Sequence, residues 1–196
     1  HGEYAGLSYC DAIQIGEGGL DFPVWFLPLR DIYGNLLRIK EETAQVQVAA
    51  LRKAFYRARA RDVSEEIPIS FDTKILLRIL REENEKEVST GEFYKSGDKA
   101  GLPKMVKGDL NGKLGSVISL LEDKRRDKRY EFMFRKQGQE YLSAFVGRDF
   151  GRKDRRIKVI DLSHVPSDMV PTVIAVTARL LYRVQLQQEK REIVPM

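Results

Sequence analysis

A short strand, a capped turn and an apolar helix follow one another near the end of the chain, and this order constrains the fold most. The run at 157–163, IKVIDLS, is β-branched and ends in an acid and a hydroxyl, which is typical of a buried strand. The helix predicted from Thr172 to about Gln188 is apolar along nearly all of its length. A further apolar run begins at Glu192. The pattern therefore predicts one βαβ unit of a parallel α/β sheet.

The chain before this unit is predicted to be mainly helical. The run at 21–29, DFPVWFLPL, predicts an extended segment, and the polar, glycine-containing residues 84–108 predict a loop. Asp72 is a plausible N-cap for a helix that carries Ile75, Leu76, Ile79 and Leu80. Apolar periodicity predicts the other helices at 30–38, about 41–61, 114–121 and 141–145.

Three regions follow from this pattern. We assign residues 1–20 to the end of a core strand and its exit loop, residues 21–150 to an inserted helical subdomain, and residues 151–196 to the βαβ unit. One βαβ unit does not form a stable sheet by itself. Its partner strands are therefore expected before His1 and after Met196.

Composition excludes several classes of protein. With 196 residues, 42% hydrophobic and 32% charged, the chain suits one domain with a true core and does not suit wholesale disorder. No apolar run approaches the ~20 residues of a membrane span, and no signal peptide opens the chain. Cys10 is the lone cysteine, so no internal disulfide forms, and we interpret it as a buried structural thiol. The predicted location is the cytoplasm, without membrane contact.

Positive charge is concentrated in the middle of the chain. Residues 1–98 hold 13 basic and 17 acidic groups, residues 99–158 hold 17 and 8, and residues 159–196 hold 4 and 4. A basic middle between acidic and neutral parts suits contact with a phosphate backbone, although such runs are also common on solvated faces.

The nucleotide-binding signatures in the chain are incomplete. Gly112-Lys113 lacks both the first glycine and the final Ser or Thr of a P-loop, and GEGG at 16–19 has no helix behind it, so it predicts a loop. Asp161 ends a strand that resembles a Walker B strand, but Leu162 follows it, so a strand-end cap is favoured over a metal ligand. His1 and His164 are the only histidines, which excludes a multi-histidine metal site. We therefore assign no metal ligand.

The opening HGEY is the more informative stretch. An acid just past a strand end lies where α/β proteins place their ligand sites, so Glu3 is either a site residue or a glutamate that accepts from loop amides.

Four blocks together resemble the HerA family of hexameric DNA-translocating ATPases, in the FtsK–HerA superfamily. They are HGEY, FPVWFLPL, LLEDKRRDKRYEFMF and KVIDLSHVPSDMVPTVIAVTARLLYRVQ. The resemblance implies a RecA-like P-loop ATPase core. In that family an Asp-x-His-Gly-Glu-Tyr motif ends the strand after the P-loop helix, and its last four residues match HGEY here.

By this resemblance His1, Gly2 and Glu3 bind nucleotide, and Glu3 is the catalytic candidate near Mg²⁺ and the γ-phosphate of ATP. The family's P-loop lysine and Walker B acid have no counterpart in these residues. The segment alone is therefore expected to be inactive, within a parent chain that hydrolyses ATP.

The resemblance also implies partners. Family members form homo-hexameric rings that thread duplex DNA, and a nuclease or other effector in DNA repair, end processing or antiviral defence is the expected companion. The DNA-binding candidates are Arg125, Arg126, Lys128, Arg129, Arg152, Lys153, Arg155 and Arg156. Two alternatives stay open: a conjugation-type transport ATPase, and a non-enzymatic helical scaffold whose basic face binds nucleic acid.

Overall fold

The computed structural model describes residues 10–60, 64, 67–135 and 157–187. Short 3₁₀ turns lie at Val24–Phe26 and Lys128–Tyr130, and a π-helical turn lies at Ile32–Leu36. The remaining elements, in chain order, are β1 (Cys10–Gly16), α1 (Leu29–Asp31), α2 (Gln45–Arg59), α3 (Thr73–Glu85), β2 (Glu87–Phe93), β3 (Pro103–Lys107), α4 (Gly115–Arg126), α5 (Glu131–Phe134), β4 (Ile157–His164) and α6 (Val170–Gln187).

The strands β1 and β4 form a two-stranded parallel sheet. Cys10 lies opposite Ile157, and the register shifts near the end, where Gly16 lies opposite His164. The strand predicted at 157–163 is confirmed. Within residues 1–20, predicted as a strand end and its exit loop, Cys10–Gly16 is a further strand and supplies β4 with a neighbour from inside the chain. A parallel pair needs a long crossover, and the helical region provides it.

The strand β4 is less buried than its sequence predicts. Ile157 is 49% exposed, and the next five residues are only half-buried. Its one described neighbour is β1, so part of its surface meets no described element. The predicted strand from Glu192 and the predicted helix at 141–145 lie outside the described residues.

A hydrophobic core joins the sheet to the helices. It includes Ile15 of β1, Leu51 of α2, Leu76 of α3 and Val173 of α6, each at most 1% exposed. The segment at 21–29, predicted to be extended, instead makes a 3₁₀ turn and lies deep in this core. Pro23 and Pro28 have no N–H to donate, and the segment packs through its apolar side chains rather than through a ladder of backbone hydrogen bonds.

The central helices agree with prediction apart from their ends. Asp72 caps α3 by accepting a hydrogen bond from the backbone N–H of Lys74 (2.9 Å), as expected. The helix α2 begins at Gln45 rather than near Glu41, because residues 40–44 form a turn in which the N–H of Ala44 donates to the carbonyl of Lys40 (3.1 Å). The helix α4, predicted at 114–121, buries Val117 and Leu121.

Residues 84–108 are not a structureless loop, which corrects the prediction. They form an antiparallel ribbon, with Val88 opposite Val106 and Ser89 opposite Met105. Both faces of this ribbon meet solvent, so its sequence carries no alternation between apolar and polar residues that would reveal strands.

The helix α6 is confirmed, but it is not buried all round. Val173, Val176 and Leu180 face the core, whereas Ile174 is 52% and Tyr182 61% exposed. Among the described residues, no helix has the length and apolar character needed to cross a bilayer.

Candidate functional site

A cleft of ≈ 480 Å³ lies at the carboxyl ends of the two parallel strands. We call it the strand-end cleft. Ligand sites of α/β proteins lie at this edge of the sheet. One wall follows β1, a second follows β4, and the third comes from the 3₁₀ turn and helix α5. Its lining residues are Glu17, Lys128, Arg129, Glu131, Phe132, Arg135, Ser163, His164, Val165 and Pro166.

Two glycines bring the strand ends close together. A Cβ on Gly16 would lie 2.8 Å from the carbonyl oxygen of His164, and φ there is +106°, a conformation that favours glycine. A Cβ on Gly19 would lie 2.3 Å from the carbonyl oxygen of Gln14, which accepts a hydrogen bond from the N–H of Leu20 (2.8 Å). GEGG is therefore a tight turn, as predicted, and it forms one edge of the cleft.

Asp161 lies inside β4, opposite Gln14, and the strand continues to His164. Its Oδ1 accepts a hydrogen bond from the backbone N–H of Ser163 (2.9 Å). This backbone hydrogen bond, together with one from the Ser163 side chain, lowers the pKa of Asp161. The interpretation of Asp161 as a strand-end cap is therefore wrong in its position, because β4 continues to His164 and the carboxylate accepts from Ser163 within the strand. Within the described parts of the chain, no three His, Cys, Asp or Glu side chains cluster closely enough to hold a metal ion.

Most of the cations in the strand-end cleft are paired. Arg129 donates to both carboxylate oxygens of Asp127, at 3.1 Å from Nε and 2.6 Å from Nη2, and this hydrogen bonding raises the pKa of Arg129. Arg135 lies 3.0 Å from a carboxylate oxygen of Glu131 and 3.4 Å from one of Asp21. Lys128 is exposed and has no ion pair among the described residues, so it is the cation most available to a bound anion.

The four described DNA-binding candidates lie in two places. Lys128 and Arg129 line the strand-end cleft, whereas Arg125 and Arg126 line a smaller one of ≈ 290 Å³ between α3 and α4. Nη2 of Arg126 lies 3.4 Å from Glu122, which also binds Arg81. The split arises because α4 ends at Arg126 and the chain turns at Asp127.

Lys124 belongs to a cluster that joins α4 to α6. Its Nζ lies 3.5 Å from Oδ2 of Asp168 and 3.7 Å from the centre of the Tyr130 ring. The hydroxyl of Tyr130 donates to the same oxygen (2.7 Å), as does the guanidinium of Arg38 (2.9 Å). We call these four residues the Asp168 cluster. Lys124 therefore has a structural role.

Opposing effects set the pKa of Asp168. Burial raises it, but the hydrogen bond from Tyr130 and the charges of Lys124 and Arg38 outweigh burial and lower the pKa overall. Burial first, and then the bond to Asp168, raise the pKa of Tyr130 to about 12. Sequence reasoning missed this cluster; its one local signal was an acid in the turn before a helix.

We expect Tyr130→Phe to remove one step from the alkaline titration of the folded protein, the step with a midpoint at about 12. The folded pKa lies above the unfolded value of about 10. The stabilisation from the neutral hydroxyl is therefore complete below pH 10 and is lost as the pH rises through about 12. Tyrosinate absorbance measured against pH checks this. The control is Tyr182→Phe, at a ring that is 61% exposed, and it should leave the step in place.

Cys10 is buried, at 6% exposed, as its assignment as a structural thiol predicted. The remaining candidates, His1, Gly2, Glu3, Arg152, Lys153, Arg155 and Arg156, lie outside the described residues. Sequence reasoning did not select Arg135 or His164, which the tertiary structure brings to the strand-end cleft.

Parallel strands joined through a helical region, with a polar cleft at their carboxyl ends, define a mixed α/β protein compatible with part of a P-loop ATPase core. The family model described as "Helicase HerA, central domain" matches residues 1–181. The chain therefore belongs to the HerA helicase central-domain family, as the resemblance of its motifs predicted. A search of curated proteins found no match.

Proposed function

We propose that these residues are part of a ring-shaped, homo-hexameric motor that uses ATP and Mg²⁺ to move double-stranded DNA. The observation that carries this proposal is the family match across residues 1–181. The net positive charge of residues 99–158, which hold 17 basic and 8 acidic groups, supports DNA as the substrate. A nuclease or other effector partner, in repair or antiviral defence, and a cytoplasmic location remain predictions from the sequence.

The strand-end cleft offers Lys128 to the phosphate part of a nucleotide, beside the acids Glu17 and Glu131 that also line it. Lys128 has no ion pair among the described residues, and a carboxyl edge of parallel strands is a usual place for such a ligand. Bound ATP with Mg²⁺ supplies the phosphoryl group that is transferred to water. We propose that His1, Gly2 and Glu3 bind the nucleotide, with Glu3 in the catalytic role that the family motif implies. Lys128 attracts the phosphates.

The test is Glu3→Gln in a chain that also carries the family's phosphate-binding loop and Walker B acid. We expect ATP hydrolysis to fall by about 10–100-fold, the range found when a polar group that orients a metal site is changed. The circular dichroism spectrum should stay the same, because the change keeps the size of the side chain. The matched control is Glu85→Gln, at an exposed position on α3.

Duplex and single-stranded DNA separate the proposal from its alternatives. A duplex translocase hydrolyses ATP faster with duplex DNA than with single strands, whereas stimulation by single strands alone would favour the conjugation-type transporter. No nucleotide binding in the presence of Mg²⁺ would refute the motor and leave the scaffold. Unchanged turnover in Glu3→Gln would remove Glu3 from the site.

A further inference from the structure

The antiparallel ribbon Glu87–Lys107 is held firmly at its base. The carbonyl of Lys86 accepts from the N–H of Gly108 (2.9 Å) and from the side chain of Asn111 (3.2 Å). Asn84 accepts from two further backbone groups, its carbonyl from Gly112 (2.9 Å) and its side chain from Leu114 (2.8 Å). Because these bonds tie the ribbon to α3 and α4, it has a defined position on the body of the protein.

Hydrogen bonds also order the tip of the ribbon. The N–H of Tyr94 donates to the carbonyl of Leu102 (3.0 Å), and the N–H of Gly101 returns a bond to Tyr94 (2.9 Å). Nearer the base, Nζ of Lys104 lies 2.9 Å from Glu92. The tip therefore has a fixed shape that a partner can recognise.

The ribbon exposes far more apolar surface than a two-stranded element needs. Phe93 is 59%, Leu102 55%, Val106 47% and Met105 45% exposed. A two-stranded ribbon is at best marginally stable in water, and exposed apolar groups on such an element are available to a partner. These residues remain about half exposed, so packing against the described core does not explain their apolar character.

The charges of the ribbon select the kind of partner. Lys95, Lys99 and Lys107 are exposed and form no ion pair among the described residues, and Asp98 is the one acid between Lys95 and Lys99. Nζ of Lys99 lies 6.0 Å from the centre of the exposed Tyr94 ring. Lysines beside exposed apolar and aromatic side chains suit a duplex, which offers phosphates, sugars and thymine methyl groups at its surface.

We propose that this ribbon is a DNA contact, in which Lys95 and Lys99 bind phosphates and Phe93 and Tyr94 pack against sugars and thymine methyl groups of the duplex. A two-stranded β-ribbon is narrow enough for the major groove of a duplex. The proposal extends the proposed function, which requires DNA but does not say which element touches it. It adds a contact outside the strand-end cleft and outside the basic end of α4.

The experiment measures binding of the chain to a short labelled duplex, and to the matching single strand, by fluorescence anisotropy between about 50 and 200 mM salt. The double variant K95Q/K99Q should flatten the dependence of log affinity on log salt by about 1.8 for the duplex, which corresponds to two phosphate contacts. Its affinity at the lowest salt should fall roughly tenfold or more. F93S should weaken binding without changing the salt dependence.

The matched control is K53Q/K74Q, which removes two exposed lysines from α2 and α3 and so changes the net charge equally. It should leave the salt dependence as in the parent chain. An unchanged slope in K95Q/K99Q, or no binding by the parent chain at the lowest salt, would overturn the proposal. If F93S instead changes only sedimentation, the ribbon is a protein-binding surface and the proposal is wrong.

The proposed function can be refuted independently of the ribbon contact. DNA-stimulated ATP hydrolysis that persists in K95Q/K99Q, together with unchanged DNA affinity, would refute the ribbon contact and leave the motor intact. DNA binding that depends on the ribbon, without ATP hydrolysis in the longer chain, would refute the motor and leave the ribbon contact intact.

Discussion

Asp168→Ala is expected to lower the free energy of unfolding by about 2–3 kcal/mol. Its carboxylate is the shared acceptor of Tyr130, Lys124 and Arg38. Tyr130 is only 3% exposed, so removal of the Asp168 carboxylate leaves its buried hydroxyl unpaired, at a cost of about 1–3 kcal/mol. The Lys124 pair adds to this, because both side chains are about four-fifths buried, whereas Arg38 is 68% exposed and contributes little.

Urea unfolding at neutral pH measures this change. The control is Asp109→Ala, at an exposed position, which should change the free energy of unfolding by no more than about 0.5 kcal/mol. Combining Asp168→Ala with Tyr130→Phe should cost less than the sum of the two single changes, because both remove the same hydrogen bond. Additive losses, or an Asp168→Ala loss as small as the control's, would contradict the role assigned to the Asp168 cluster.

The effect of Asp168 should depend on pH. Its folded pKa is lowered, so its stabilising contribution is present above the unfolded value of about 3.9 and is lost as the pH falls through the folded value. The difference between the parent chain and Asp168→Ala should therefore be constant from pH 7 to about 5 and then shrink in more acidic solution.

Gly19→Ala is expected to lower the free energy of unfolding by about 3 kcal/mol. The added Cβ would lie 2.3 Å from the carbonyl oxygen and 2.7 Å from the carbonyl carbon of Gln14, so the backbone has to move. That movement strains the hydrogen bond from Leu20 to Gln14 and the adjacent bond from Gly16 to Leu20. Overpacking and the weakened hydrogen bonds each contribute on the order of 1–3 kcal/mol or less.

Gly115→Ala is the matched control for Gly19→Ala. No atom lies within 4 Å of a Cβ built on Gly115, the first residue of α4, so alanine there should be neutral or stabilising by up to about 1 kcal/mol. Chemical denaturation gives both values, and hydrogen exchange of the Leu20 amide reports the local change at the strand-end cleft. Equal stabilities for the two variants would show that the turn at Gly19 adapts to a side chain.

Several elements were predictable because their signals are local. The helix α3 carries its N-cap, Asp72, next to its own apolar periodicity, and β4 is a compact β-branched run. The family was recognisable for the same reason, since its motifs are contiguous stretches such as HGEY and KVIDLS.

The strand β1 and the ribbon escaped prediction for a shared physical reason. CDAIQIG is a strand because it pairs with β4, and the residue opposite Cys10 is Ile157, on the far side of the helical region in the sequence. The ribbon has solvent on both faces, so no pattern of burial is written into its sequence.

The candidate site was likewise predicted only in part. The sequence supplied the basic run and therefore the prediction of anionic ligands. Arg129 pairs locally with Asp127. The pairs of Lys124 with Asp168 and of Arg135 with Asp21 form only across the fold, while Lys128 stays exposed.

From the sequence by itself came the family, the helical character of the middle of the chain and the strand–helix pair at 157–187, because each depends on neighbouring residues. The tertiary structure alone decided that Cys10–Gly16 is a strand, that the two strand ends enclose a cleft, and which lysines remain available. Strand pairing and ion pairing are short-range in space, and folding brings together residues that are remote along the chain.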